Sequence, residues 1–127
     1  MNTEELIDVV TRENINLAYL PLKKAKAAAL IGGIAIKKEI SGKLEEKEII
    51  AHELGHIRCG LMPYRLSDPV LKRKCEICAD RAAVRLLIPK NALFKAIKHG
   101  LREPWSLAEH FEVSENFIKK AIDYYFL

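Results

Sequence analysis

The run His52-Glu53-Leu54-Gly55-His56 puts two imidazoles four residues apart, with a carboxylate beside the first. On a helix this spacing sets both rings on one face, one turn apart, so both can reach a single metal ion. Glu53 then lies beside the ligand face, near enough to touch a metal-bound water without being a ligand. The surrounding residues predict that helix. Ile50, Leu54, Ile57 and Leu61 recur at spacings of four, three and four and make one apolar stripe. His52 and His56 fall nearly opposite the stripe, away from the core that it enters. The bland alternative is a solvated helix with two incidental histidines.

A hydrolytic zinc site takes three protein ligands and keeps a fourth position open. The third ligand is expected from Cys75-Glu76-Ile77-Cys78-Ala79-Asp80, where several readings stay open. In one, Glu76 ligates and Asp80 orients a ligand histidine from behind. Ala79 and Ala83 beside them are small enough for another helix to pack close. In another, Cys75 and Cys78 join His52 and His56 in a closed, structural Cys₂His₂ site. In a third, both cysteines are small buried residues on an arc with Ala79, Ala82 and Leu86. A redox pair lacks the βαβ pattern that accompanies that chemistry. Tyr64, Arg81, Arg85 and His110 are candidates by type alone for a second electrophile, each more simply structural. His99 is expected at a helix C-terminus, where the dipole accounts for it.

These side chains need elements to hold them. Thr3 with Glu4 and Glu5 predicts a capped helix to about Glu13, with Leu6, Ile7, Val9 and Val10 inward. Ile15–Leu22 reads as extended, and two apolar runs flank Gly32-Gly33 as in a hairpin. The motif helix is expected to end at Pro63. A second long helix is expected from about Val70 to Ile88, and a third over Asn91–His99 up to Gly100. Ser106 and Ser114 are candidate caps for two more. The expectation is an α+β fold: a small antiparallel sheet, the motif helix and a mostly helical C-terminal half, in a single domain over residues 1–127.

The chain has 127 residues and 14.4 kDa, enough to bury a core without disulfides. The longest mostly apolar stretch, residues 27–36, is far short of the roughly 20 residues of a membrane span. No basic-then-apolar leader opens the chain, and three cysteines are too few for a disulfide framework. A reducing cytoplasm is the expected compartment. The net charge is +4, with ten basic against four acidic residues between 51 and 100, and three against five from 101 on.

The segment Ser106–Ala121 reads like a helix-turn-helix, with Leu107, Ala108 and Phe111 packing against Phe117, Ile118 and Ala121. A DNA-binding regulator is therefore the rival class. Only Lys119 and Lys120 offer it phosphate contacts, and the segment's negative balance argues against nucleic acid.

His-Glu-Leu-Gly-His at 52–56, followed by Glu76-x-x-Ala79-Asp80 and then Leu86-Leu87-Ile88-Pro89, resembles the ImmA/IrrE family of zinc metallopeptidases. The order of elements is similar over essentially the whole chain. The resemblance implies a minimal zincin fold, one Zn²⁺ per chain, and a cytoplasmic endopeptidase. The implied substrate is a helix-turn-helix repressor of a mobile element, prophage or stress response. His52 and His56 match the histidine ligands, Glu53 the catalytic base and Glu76 the third ligand. Arg81-Ala82-Ala83 departs from the aromatic-alanine pair usual there. In the implied mechanism zinc lowers the pKa of its water towards about 7. Glu53 takes the proton and passes it to the leaving amine.

Overall fold

A computed structural model of the protein describes residues 1–60 and 67–126. The histidine motif lies on α2, Glu46–Cys59, which stops where Gly60 takes a left-handed conformation (φ 77°) and its N–H bonds back to His56 and Ile57. Glycine reaches that conformation without a Cβ clash. No proline is needed for the stop; Leu61, Pro63 and Tyr64 lie outside the described residues.

Before α2 come α1 (Thr3–Arg12), β1 (Asn16–Leu20), β2 (Ala27–Leu30), β3 (Gly33–Lys37) and a 3₁₀ turn at Lys38–Ile40. Asn2, one residue earlier than expected, caps α1 by accepting from the Glu5 N–H. The hairpin forms at Ile31-Gly32, with Leu30 opposite Gly33 and the strands antiparallel. β1, however, runs parallel to β3, so the sheet is mixed, in the order β1-β3-β2, and not wholly antiparallel. The connection over residues 21–26 carries the chain past the central position to the far edge. The hairpin then inserts β3 between its neighbours.

After α2 come α3 (Pro69–Leu87), α4 (Lys90–Lys98), α5 (Pro104–Phe111) and α6 (Glu115–Phe126). Asp68 caps α3 through the Val70 N–H, and Pro69 needs no donor in the first turn. Pro104 likewise starts α5 before Ser106, which lies inside the helix and bonds back to the Glu103 carbonyl. Ser114 does cap α6, its hydroxyl accepting from the Phe117 N–H. The elements make a small α+β fold. α2 is its hub, packed between the sheet, α1 and α3. Leu6, Ile36, Ile50, Leu54, Ile88, Leu93 and Ile118 are fully buried around it.

Three consecutive charged residues in the first turn of α2 tie it to three other elements. Glu46 accepts from the Tyr19 hydroxyl of β1 at 2.6 Å and from the Gly42 N–H. Lys47, only 4 % exposed, donates to the carbonyls of Met1 and Phe111. Glu48 accepts from both the N–H and the hydroxyl of Ser114, anchoring the start of α6. Each charge is hydrogen-bonded, which is what makes its burial tolerable.

α2 and α3 touch at Gly55. A Cβ there would lie 2.8 Å from the Ala79 carbonyl oxygen and 3.1 Å from the Ala82 Cβ. The helices thus meet backbone against backbone, with no room for a methyl group. Gly55→Ala is expected to cost about 1–3 kcal/mol, as overpacking does, measured by urea titration.

Tyr19 supplies a pH-dependent check. Burial, and then the Glu46 carboxylate, push its pKa from 10.0 up to about 12. The neutral phenol is favoured in the folded state, so its contribution is complete below pH 10.0 and is lost as pH rises through about 12. Urea titrations across that window are expected to show a smaller loss of stability in Tyr19→Phe than in the wild type.

Candidate metal centre

The close contact at Gly55 brings the ligand face of α2 against the carboxylate face of α3. Nε2 of His52, Nε2 of His56 and a carboxylate oxygen of Glu76 lie within 4.8 Å of one another. Glu76 Oε2 is 2.8 Å from His52 Nε2, its Oε1 is 3.2 Å from His56 Nε2, and the two Nε2 atoms are 3.1 Å apart. Among the described residues this is the one group of three or more such side chains that could hold a metal.

Each histidine is held through its other nitrogen. His52 Nδ1 lies 2.8 Å from Asp80 Oδ1, so Nδ1–H donates and Nε2 keeps its lone pair. His56 Nδ1 lies 3.3 Å from Cys75 Sγ. The helical wheel sets His52 and His56 away from the core, but α3 covers that face and leaves His56 only 2 % exposed. Donor chemistry fits a divalent metal: two imidazoles with Nε2 directed at one point, and one carboxylate, as in open zinc sites. No rearrangement of side chains between helices is needed to assemble the set.

The electrostatics follow from this crowding. Burial opposes charge on His52, but Asp80, Glu53 and Glu76 together outweigh it and raise its pKa. His56 goes the other way: burial dominates and lowers it. Glu53 is raised, by burial first and Glu76 second, against the pull of His52 and the Ala29 N–H that bonds its carboxylate. A carboxylate with raised proton affinity suits a group that must take and return a proton. Asp80 would also be raised by burial, but His52 and Lys120 hold it below the usual range.

These groups face a cleft of about 400 Å³. His52 and Glu53 line it from α2, Glu76 and Asp80 from α3, Ala27 from β2, and Phe117 and Lys120 from α6. Arg81, Arg85 and His110 do not line it, and His110 instead packs edge-on against Phe111. Tyr64 is outside the described residues. His99 occupies the C-cap position of α4, as expected.

The cysteines are not gathered at the histidines. Cys78 is joined to Cys59, at the end of α2, as a disulfide. The reading that buried both Cys75 and Cys78 holds for Cys75 alone; Cys78 is half-buried. A Cys₂His₂ site on Cys75, Cys78, His52 and His56 is therefore not assembled. Cys75 as a contact of His56 is legible only in that it shares the buried arc of α3 with Ala79. Lys120, 3.4 Å from Asp80, had no sequence signal, because forty residues of chain separate them. The apolar sides of α5 and α6 (Leu107, Ala108, Phe117, Ile118 and Ala121), with Val113 from the turn between them, are buried in the common core.

The family model described as the IrrE N-terminal-like domain, Peptidase_M78, matches residues 5–123. No curated protein and no solved structure matches the chain.

Elemental analysis of purified protein checks the ligand set. The wild type is expected to carry about one zinc ion per chain, as a three-ligand site does. Glu76→Ala is expected to lose the ion, and Cys75→Ser/Cys78→Ser to retain it. The opposite pattern would assign the metal to the cysteines.

Proposed function

The chain belongs to the IrrE N-terminal-like family of peptidases, and from that premise we propose that it is a zinc-dependent endopeptidase with His52, His56 and Glu76 as ligands. One observation carries the reading. His52 and Glu76 line an open cleft with Glu53 beside them, the buried His56 completes the donor set, and Ala27 of the unpaired edge of β2 lines the same cleft. Bound zinc would supply Lewis-acid polarisation of the scissile carbonyl.

The remaining steps are assigned to the chain's own residues. Glu53 takes a proton from the attacking water and returns it to the leaving amine, which its raised proton affinity favours. Asp80 holds His52 in the tautomer that leaves Nε2 available, and Lys120 holds Asp80.

β2 supplies the rail for the substrate. It pairs with β3 on one side only. By the alternation of an antiparallel ladder, Ala27 and Ala29 direct their backbone groups to the open side. The Ala29 N–H already reaches Glu53. An extended peptide adding to this edge would run past Glu53 and the ligands, a mode that reads main chain more than side chain.

A protein substrate with an accessible extended segment follows, and a helix-turn-helix repressor in the cytoplasm is the proposed one. No described helix is long and apolar enough to cross a membrane. The test is incubation of the zinc-loaded chain with candidate repressors, with products read by mass spectrometry. Cleavage at a defined bond is expected. Glu53→Gln should keep its zinc and lose about 10²–10⁴-fold in rate, the usual worth of a general base. Cleavage undiminished in Glu53→Gln would remove Glu53 from the mechanism.

A further inference from the structure

Beyond the Asp80–Lys120 ion pair that bounds the candidate cleft, the surface between α3 and α6 is again concave. Both residues also line a second hollow of about 380 Å³ between α3 and α6. That hollow continues into a third of about 460 Å³, sharing Ile77, Arg81 and Tyr124 with it. Together they make one groove that leaves the metal centre along α3. Its α3 wall is a single helical stripe, Lys74, Ile77, Arg81 and Arg85, spaced three, four and four apart. This stripe lies directly beside the one carrying Glu76 and Asp80.

The groove wall has a definite chemistry. The Arg85 guanidinium donates to the Tyr124 hydroxyl at 2.7 Å, and Arg81 and Arg85 lie 5.5 and 5.8 Å from the Tyr124 ring centre. Tyr124 thus holds two guanidiniums in place. Among the described residues neither has a carboxylate within ion-pair distance, although the nearby Lys120 is paired with Asp80. Ile77, one turn before Arg81 on the same stripe, is 38 % exposed. Guanidiniums fixed against a ring keep their carboxylate-binding fork and lose little freedom on binding.

We infer that this groove docks an acidic, apolar-interrupted segment of the protein substrate, outside the bond being cut. The inference rests on the peptidase reading above. Charge complementarity selects the occupant: glutamate or aspartate on Arg81 and Arg85, an aliphatic side chain on Ile77. Nucleic acid fits less well, because the fixed positive charge is confined to the two guanidiniums, with Asp80 and Asp123 towards the other end of the groove, and this suits one or two spaced carboxylates and not a continuous run of phosphates. Such docking adds specificity and association rate at a distance from the metal.

The test uses the full chain and three labelled probes of equal length, read by fluorescence anisotropy. One peptide alternates glutamate and leucine, one has glutamine for each glutamate, and one has lysine. The glutamate peptide is expected to bind about tenfold or more tighter than the glutamine peptide, with the margin shrinking as salt rises. Arg81→Glu/Arg85→Glu should abolish that margin and bind the lysine peptide better than the wild type does, which also shows that the variant is folded. Equal binding of the glutamate and glutamine peptides to the wild type, or a margin that survives the double substitution, overturns the inference. A single-stranded oligonucleotide that outcompetes the glutamate peptide overturns the choice of occupant. Because the readout is binding, the two readings fail separately. Loss of the margin in a chain that still cleaves protein removes the groove alone, whereas a margin kept by a chain that hydrolyses nothing removes the peptidase reading.

Discussion

Gly55 lets α2 lie against α3 at the level of Ala79, and the candidate metal site depends on that approach. The rings of His52 and His56 extend from one helix and the carboxylates of Glu76 and Asp80 from the other. Their ligand atoms converge because the two backbones are close enough for short and medium side chains to span the gap. A methyl group at residue 55 would meet a backbone carbonyl, which cannot turn aside as a flexible side chain can. The glycine in the middle of the motif is thus a packing residue, and Ala79 and Ala82 across from it serve the same contact.

Around this contact the charges are arranged so that each is answered. Glu53, Glu76 and Asp80 would repel one another across a half-buried cleft. His52, Lys120 and the Ala29 N–H offset that repulsion at separate points, and a divalent ion would do so at the centre. The first turn of α2 applies the same logic to the fold, with Glu46, Lys47 and Glu48 each spent on a different element. Glu48 holds the start of α6, and α6 in turn delivers Lys120 to Asp80. A chain of polar contacts therefore runs from the hub helix, through the C-terminal pair, back to a ligand histidine.

This arrangement also gives the helix-turn-helix-like segment a role in the domain. Phe117 closes one wall of the cleft, Lys120 steadies Asp80, and Tyr124 holds the arginines of the adjoining groove. The apolar faces that make the segment look like a recognition motif are those that pack it against the rest of the core.

Much of this was legible in the residues themselves. Helical periodicity put His52 and His56 on one face and Glu76 and Asp80 on another, and a hairpin was readable at Gly32-Gly33, one residue beyond the Ile31-Gly32 turn that forms. These are local regularities, set within a few residues by the geometry of helix and strand. Other features depended on which elements become neighbours. The parallel pairing of β1 with β3 hangs on the path of one connection. The pairing of Cys59 with Cys78, the contact of Cys75 with His56 and the reach of Lys120 to Asp80 join residues far apart in the chain. The burial of His56 was misjudged for the same reason: a wheel shows which way a side chain points, but not which helix will cover it. Sequence alone determined the spacing of the two histidines and of the candidate third ligands, because a helix repeats every 3.6 residues wherever it sits. Only tertiary packing decided how the donors meet, because that distance is set by the size of the side chains between two backbones.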